Sequence, residues 1–317
     1  VTSSTCPNRG LVLYSSRRFV QIIDASKRTR NGSLASRKLE AVAGDIVHFK
    51  INDKVTEDQS AEIYEIEERR NILKRSFQRK TKQLVANLDV LFLVTAPPPL
   101  FNSSCVDRMI CAAINENIEV VLIGNKSDLP NFSELEPLLA YYKKTGLKTS
   151  TTSALNKSGL SMITEYISTS PYSSFAFAGI SGVGKSSLLR NLFPDFQIKT
   201  GEVSEKTGQG KQTTSSAQGY ILDTEKNETT PSNEFPKVLF DLPGIQQFGV
   251  SHLSIDEIKS GMKDIERISM GCKFHNCSHL HEPACEVLQA IESGEILLSR
   301  FQSYKDMTSE IKQHTSY

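Results

Sequence analysis

Residues 179–186, namely Gly179, Ile180, Ser181, Gly182, Val183, Gly184, Lys185 and Ser186, follow the G-x-x-x-x-G-K-S spacing of a loop that cradles phosphates. Its glycines let successive backbone N–H groups turn toward an anion. Lys185 can reach the β and γ oxygens, and the Ser186 hydroxyl can ligate Mg²⁺. Such a loop does not choose a base. Asn125, Lys126, Ser127 and Asp128 form the N-K-x-D arrangement that does: the Asp128 carboxylate can accept from guanine N1–H and the exocyclic amine, whereas adenine would leave that charge unpaired. Asp241 and Gly244 stand as D-x-x-G, a carboxylate for Mg²⁺ through water and a backbone N–H for a γ-phosphate. Ser153 and Ala154, after Thr152, have the form of a short loop that supports the base through backbone groups. The expected nucleotide contacts are 125–128, Ser153, Ala154 and 179–187, ending on Ser187. The expected magnesium ligands are Ser186 and Asp241, and Lys185, Asp241 and Gly244 enter the catalytic set.

The order of these pieces carries information of its own. In most GTPases the phosphate loop comes first and N-K-x-D late; here 125–128 and 152–154 precede 179–186. The expectation is a circularly permuted domain that takes GTP or GDP with Mg²⁺. Permutation puts D-x-x-G last, so that switch segment runs directly into the C-terminal tail and links nucleotide state to a neighbouring surface. The tail holds Cys272, Cys277, His279 and Cys285, a C-x4-C-x-H-x5-C set suited to one closed, tetrahedral, structural Zn²⁺. His275 and His281 stand in the same stretch as alternative donors. Cys6, Cys105 and Cys111 have no metal spacing.

Apolar spacing predicts the elements that hold these groups. From about residue 84, strand-like runs at 90–96, 120–124, 174–178 and 237–240 alternate with helical spacing at 106–118, 135–145 and 187–193. That pattern predicts a mostly parallel sheet covered on both faces, with the phosphate loop between a strand and a helix. Upstream, short β-type runs at 11–14, 19–23 and 46–50, parted by polar turns at 30–33 and 43–45, predict a five-stranded OB-type barrel. After residue 248 the pattern is helical, and Ser254 and Glu257 have capping-box spacing. The polar stretch 223–234 reads as an exposed loop. The expected fold class is multidomain α/β: a barrel over 1–68, a permuted GTPase domain over 69–250 and a helical zinc-binding unit over 251–317.

Lys+Arg 37 against Asp+Glu 36, with 38% hydrophobic residues, is a globular balance and excludes a uniformly basic, histone-like binder. The charge is uneven, however: ten Lys/Arg against four Asp/Glu over 1–56, and seven against none over 69–82. Such a region suits RNA phosphates. The most apolar stretch, 88–101, is broken by Asp89, Pro97, Pro98 and Pro99 and falls short of the roughly 20 apolar residues of a membrane helix, so no membrane partner is expected. Six cysteines are too few for a disulfide scaffold and suggest a reducing compartment.

The barrel, GISGVGKS after NKSD, and the C-x4-C-x-H-x5-C tail together resemble the RsgA/YjeQ family of small-ribosomal-subunit biogenesis GTPases. The likeness runs from about residue 10 to 310 and includes 208–214 and 241–249. It implies GTP hydrolysis stimulated by the small ribosomal subunit, rRNA contact through the barrel and zinc unit, and action as a late checkpoint; by it His279 is the fourth zinc ligand. Two positions depart from common patterns. Ile245 stands where many GTPases place a water-orienting Gln, as an apolar residue does in this family. Gln212 stands where the family commonly has His before the paired threonines. An amide orients water but takes up no proton at neutral pH. Gln212 is therefore expected to position the attacking water, and Thr213 or Thr214 to make the switch contact to Mg²⁺ and γ-phosphate. Two other readings are a GTP-gated RNA-binding module with vestigial hydrolysis and a permuted GTPase of large-subunit assembly. A monomer is expected. Val1 in place of Met and the 223–234 stretch suit a protein imported into a plastid stroma or mitochondrion, which is favoured over a bacterial cytoplasm.

Overall fold

A computed structural model describes residues 8–51, 61–77, 80–194, 216–222, 235–244 and 247–315. Five strands open the chain: β1 (Asn8–Ser16), β2 (Phe19–Asp24), β3 (Thr29–Leu34), β4 (Ile46–Ile51) and β5 (Ala61–Ile66). They pair in the order β1-β2-β3-β5-β4, and β4 returns to β1, which closes a barrel. Val12, Val20, Ile22, Val47, Phe49 and Ile63 fill it, every second residue pointing inward as the pleat requires. One expectation fails here. Residues 30–33 are not a turn but the middle of β3, a strand in which only Leu34 is buried. Gly32 makes this strand possible: a Cβ there would lie 2.2 Å from the Ala61 carbonyl oxygen, so β3 and β5 close the barrel only across a glycine.

A hairpin follows, β6 (Ile72–Phe77) and β7 (Lys80–Ala86), forming a two-stranded sheet of its own. Then come β8 (Val90–Thr95), α1 (Ser103–Asn115), β9 (Glu119–Gly124), α2 (Glu136–Lys144), β10 (Lys148–Thr151), α3 (Leu160–Thr169), β11 (Ser174–Gly179), α4 (Lys185–Leu192), β12 (Gln218–Ile221) and β13 (Val238–Asp241). The sheet runs β10-β9-β8-β11-β13-β12, parallel except for β12. Its central strands are apolar on both faces because both faces are covered. Leu91, Leu93 and Ala176 pack toward Met109 and Ile110 of α1, while Phe92, Val94 and Phe177 meet Ile163 of α3 and Leu188 of α4. β12 also pairs with β1 at Tyr14 and Gln218, so barrel and sheet are hydrogen-bonded into one surface.

Four helices end the chain: α5 (Ile255–Gly261), α6 (Lys263–Ser269), α7 (Glu286–Glu292) and α8 (Leu298–Thr315). The capping box at Ser254 and Glu257 forms as its spacing predicts. The unit docks on α1. A Cβ on Gly261 would stand 2.6 Å from Cys111 Cα, and Arg300, 2% exposed, reaches Asp107 of α1 and Asp264 of α6. Among the described residues no helix is long and apolar enough to cross a membrane.

Candidate functional site

The phosphate-type loop lies between β11 and α4, at the carboxyl end of the parallel strands, where open α/β sheets hold ligands. Gly182 (φ +89°) and Gly184 (φ +91°) take left-handed backbone that side chains resist. Gly184 has a second constraint: a Cβ there would be 2.4 Å from Asn125 Nδ2. Lys185, at the start of α4 and 9% exposed, forms an ion pair with Asp241 at the end of β13. Gly244 approaches Ser181, its ideal Cβ position 3.8 Å from Ser181 Cα, so the D-x-x-G segment rests on the phosphate loop. Ser186 and Ser187 occupy the first turn of α4.

Asn125 is fully buried and ties three segments together. Its Nδ2 donates to the Val183 carbonyl at 2.8 Å, and its Oδ1 accepts from Thr152 Oγ1 and from Ala154 N–H, both at 3.2 Å. The Ser127 N–H donates to the Thr152 carbonyl at 3.0 Å, Ser153 Oγ bonds to Asp128, and Lys126 turns in left-handed backbone at φ +65°. The residues expected from the sequence at 125–128, 152–154, 179–187, 241 and 244 are therefore brought to one end of the sheet. Gln212, Thr213, Thr214 and Ile245 lie outside the described residues, as does the whole of 223–234. Nothing in the sequence singles out Asn191 of α4, whose amide donates to the Ala154 carbonyl; a lone Asn in a helix belongs to no motif.

Cys272, Cys277, His279 and Cys285 converge, with all four ligand atoms within 4.8 Å of one another. Cys272 and Cys285 Sγ are 3.8 Å apart, and His279 Nδ1 is 3.6 and 3.5 Å from them. Thiolates about 2.3 Å from a tetrahedral zinc are separated by roughly 3.8 Å, so this spacing fits a shared ion. Burial pushes the Cys277 thiol up to about 12, so a thiolate there needs a cation beside it. His279 is buried in left-handed backbone at φ +61°, whereas His275 and His281 are exposed; the fold itself separates the three histidines. Glu282 braces the loop, accepting from Ser278 N–H at 2.9 Å and Ser278 Oγ at 2.5 Å.

The RsgA GTPase family model matches residues 66–251, more than half of the chain. A small ribosomal subunit biogenesis GTPase RsgA of Dichelobacter nodosus is 34% identical over 281 residues, which are 86% of this chain and 82% of that protein. The chain belongs to the RsgA GTPase family. A second RsgA of the same description, from Alkaliphilus metalliredigens, is 32% identical over 90% of each chain. The crystal structure of YjeQ from Thermotoga maritima matches at a TM-score of 0.69 and 26% identity, covering 96% of this chain and 99% of that one. YloQ, described as a circularly permuted GTPase, shares the fold at a TM-score of 0.65 and 22% identity, covering 99% and 98%. The motif order fits the sheet of this RsgA chain: β8 and β9 precede the phosphate loop in the chain, β9 leads to 125–128, and β8 lies between β9 and β11.

Part of the basic first quarter is spent within the fold. Arg69 forks onto buried Asp45 at 2.7 and 2.9 Å, Arg9 onto Glu67 at 2.7 and 2.8 Å, and Arg30 bonds to Asp24 at 2.8 Å. Arg17, Arg18, Lys27, Arg28, Arg37 and Lys38 are exposed on the barrel.

Proposed function

We propose that this chain binds GTP with Mg²⁺ across 125–128, 153–154, 179–187 and 241–244, and hydrolyses it when engaged on the small ribosomal subunit. The observation that carries the reading is Asn125, which holds the base-type loops and the phosphate-type loop in one hydrogen-bonded unit. In that unit Asp128 selects guanine, Lys185 neutralises phosphate charge, Gly244 N–H meets the γ-phosphate, and Ser186 and Asp241 hold the metal. Mg²⁺, when bound, offsets the charge that develops on the β and γ oxygens. The Lys185–Asp241 pair would part as phosphate takes the ammonium and the metal takes the carboxylate. Thr213 or Thr214 makes the switch contact and Gln212 orients the attacking water, without acting as a base.

Three units share the work: the barrel at 1–68 and the zinc unit at 251–317 grip rRNA, and 69–250 carries the nucleotide. The exposed barrel Lys and Arg supply phosphate contacts, and exposed Phe274, with Lys273 Nζ 5.8 Å from its ring centroid, offers a stacking face in the zinc unit. Cys272, Cys277, His279 and Cys285 hold one structural Zn²⁺. The small subunit enters through the names of the RsgA relatives. Those relatives are bacterial, and the organellar location expected from the sequence draws no support from them.

The test is turnover by zinc-replete protein, alone and with isolated small or large ribosomal subunits, with ATP as control. Slow GTP hydrolysis that rises only with small subunits is expected. Tight GTP binding with no turnover under any condition would refute the enzymatic reading, and stimulation by large subunits alone would refute the choice of partner. Gln212→Ala should abolish most of the stimulated rate; an unchanged rate would remove Gln212 from the mechanism.

A further inference from the structure

Asn191 sits on α4 one turn beyond Ser187, on the same helical face, half-buried and outside every motif. Its Nδ2 donates to the Ala154 carbonyl oxygen at 2.5 Å. The Ala154 N–H in turn donates to Asn125 Oδ1 at 3.2 Å. Ala154, whose backbone is the expected support for the base, is thus held from both sides by two asparagine side chains. The loop's other side-chain ties end on its own residues or on 125–128: Thr152 Oγ1 to Asn125, Ser153 Oγ to Asp128, and Asn156 N–H to Ser153 Oγ at 3.0 Å; Asn125 alone of these carries on to the phosphate loop, at the Val183 carbonyl. Asn191 instead binds the loop to the helix that begins at Lys185 and Ser186. That helix is itself anchored in the core by Leu188 and Leu189, exposed 0% and 1%.

We infer that Asn191 is a positioning residue that fixes the Ala154 backbone relative to the phosphate-loop helix, and thereby sets how long a guanine nucleotide stays bound. The inference rests on the nucleotide reading above. A nucleotide is a two-ended ligand, with its base in one subsite and its phosphates in another. When the subsites keep a fixed separation, release requires both ends to leave together, because an end that lets go is held at high effective concentration beside its subsite. If 152–156 drifts relative to α4, that advantage falls and each end leaves separately. The side chain must be a short neutral donor: a carboxylate at this place would face the Ala154 carbonyl oxygen and repel it.

Stopped-flow release of N-methylanthraniloyl-GDP from the full-length, zinc-replete protein tests this, alongside displacement by inorganic triphosphate, which occupies the phosphate subsite alone. Asn191→Ala and Asn191→Asp should each release the labelled GDP about fivefold to tenfold faster than wild type, the loss of one hydrogen bond. Triphosphate affinity should stay at the wild-type value. The alanine variant keeps helix propensity, so its fold is safe even if the aspartate variant is not. Wild-type release rates in Asn191→Ala would overturn the inference, as would an equal loss of GDP and triphosphate affinity, which would make Asn191 a general support of the helix. Wild-type protein that fails to retain labelled GDP would refute the nucleotide reading itself, and this inference with it.

Discussion

Asn125 shows how much a single buried amide can carry. Its replacement by Ala would leave the Val183 carbonyl, the Ala154 N–H and the Thr152 hydroxyl short of partners, and Val183 and Thr152 are 0% exposed. Each unsatisfied buried group costs about 1–3 kcal/mol. We expect GDP affinity to fall roughly 100-fold or more, since every 1.4 kcal/mol is tenfold, when measured by titration calorimetry; affinity within threefold of wild type would contradict this account. Gly184 is constrained twice, by φ +91° and by Asn125 Nδ2 at 2.4 Å from a would-be Cβ. Gly184→Ala should therefore lower both melting temperature and GDP affinity, at a strain of roughly 1–3 kcal/mol. At this scale the sequence was most legible, because phosphate and base chemistry demand fixed residue types at fixed spacing. Asn191 was not, because a helical Asn can serve a hundred purposes and only its distance to Ala154 identifies one.

Among the elements, the loop at 272–285 is expected to take its shape from a zinc shared by Cys272, Cys277, His279 and Cys285. Removing zinc with a chelator, or making Cys285→Ser, should release one equivalent of metal and lower the melting temperature, while GDP binding persists, since the 125–128 and 179–187 loops take no ligand from that cluster. Loss of GDP binding on chelation would break the separation of the two sites. The barrel carries its own acid sensitivity. Hydrogen bonding from Arg9, with His48 Nε2 3.0 Å away, holds the Glu67 carboxyl below its usual 4.5. A depressed folded value means that the stabilisation is complete above about pH 4.5 and fades as pH falls through the folded value. Glu67→Gln should therefore destabilise the protein at neutral pH and flatten its acid limb below pH 4.5 in melts followed across pH. A mutant limb as steep as wild type would assign acid sensitivity elsewhere. Thr29–Leu34 lacks the alternation of a strand, and β3 owes its strand state to the partners on either side.

Across the whole molecule, one buried cluster joins the nucleotide unit to the C-terminal helices. Arg300 bonds to Asp107 and Asp264 and lies over Tyr142 at 5.5 Å, while Tyr142 and Tyr141 donate to Asp107 and Asp264 at 2.7 and 2.6 Å. Removing the one cation would leave two buried carboxylates uncompensated, a loss of roughly 3–5 kcal/mol. Arg300→Met should therefore weaken the joint and split a single denaturation transition into two; a single transition of unchanged midpoint would show that apolar packing of α5 and α8 on α1 is enough. A second joint lies just past D-x-x-G. Gly249 and Ser76 exchange backbone hydrogen bonds at 2.8 and 3.1 Å, and Glu310 of α8 accepts from Val250 N–H at 2.9 Å. The segment that follows D-x-x-G is thus fastened to the hairpin and to the last helix.

The sequence by itself determined the nucleotide-type motifs, the Cys₃His composition, the alternation of strand and helix, and the barrel in outline, because each rests on residue type at short, fixed spacing. The tertiary structure brings His279, already indicated by the resemblance, to the three thiols, and it alone decided that 30–33 is a strand and that Arg9, Arg30 and Arg69 are bound to carboxylates within the fold. It alone joined the barrel to the sheet through Tyr14 and Gln218, and set Asn191 against Ala154. These are contacts between residues far apart in the chain. No local pattern encodes them, since their energy arises only when closed packing brings the partners together.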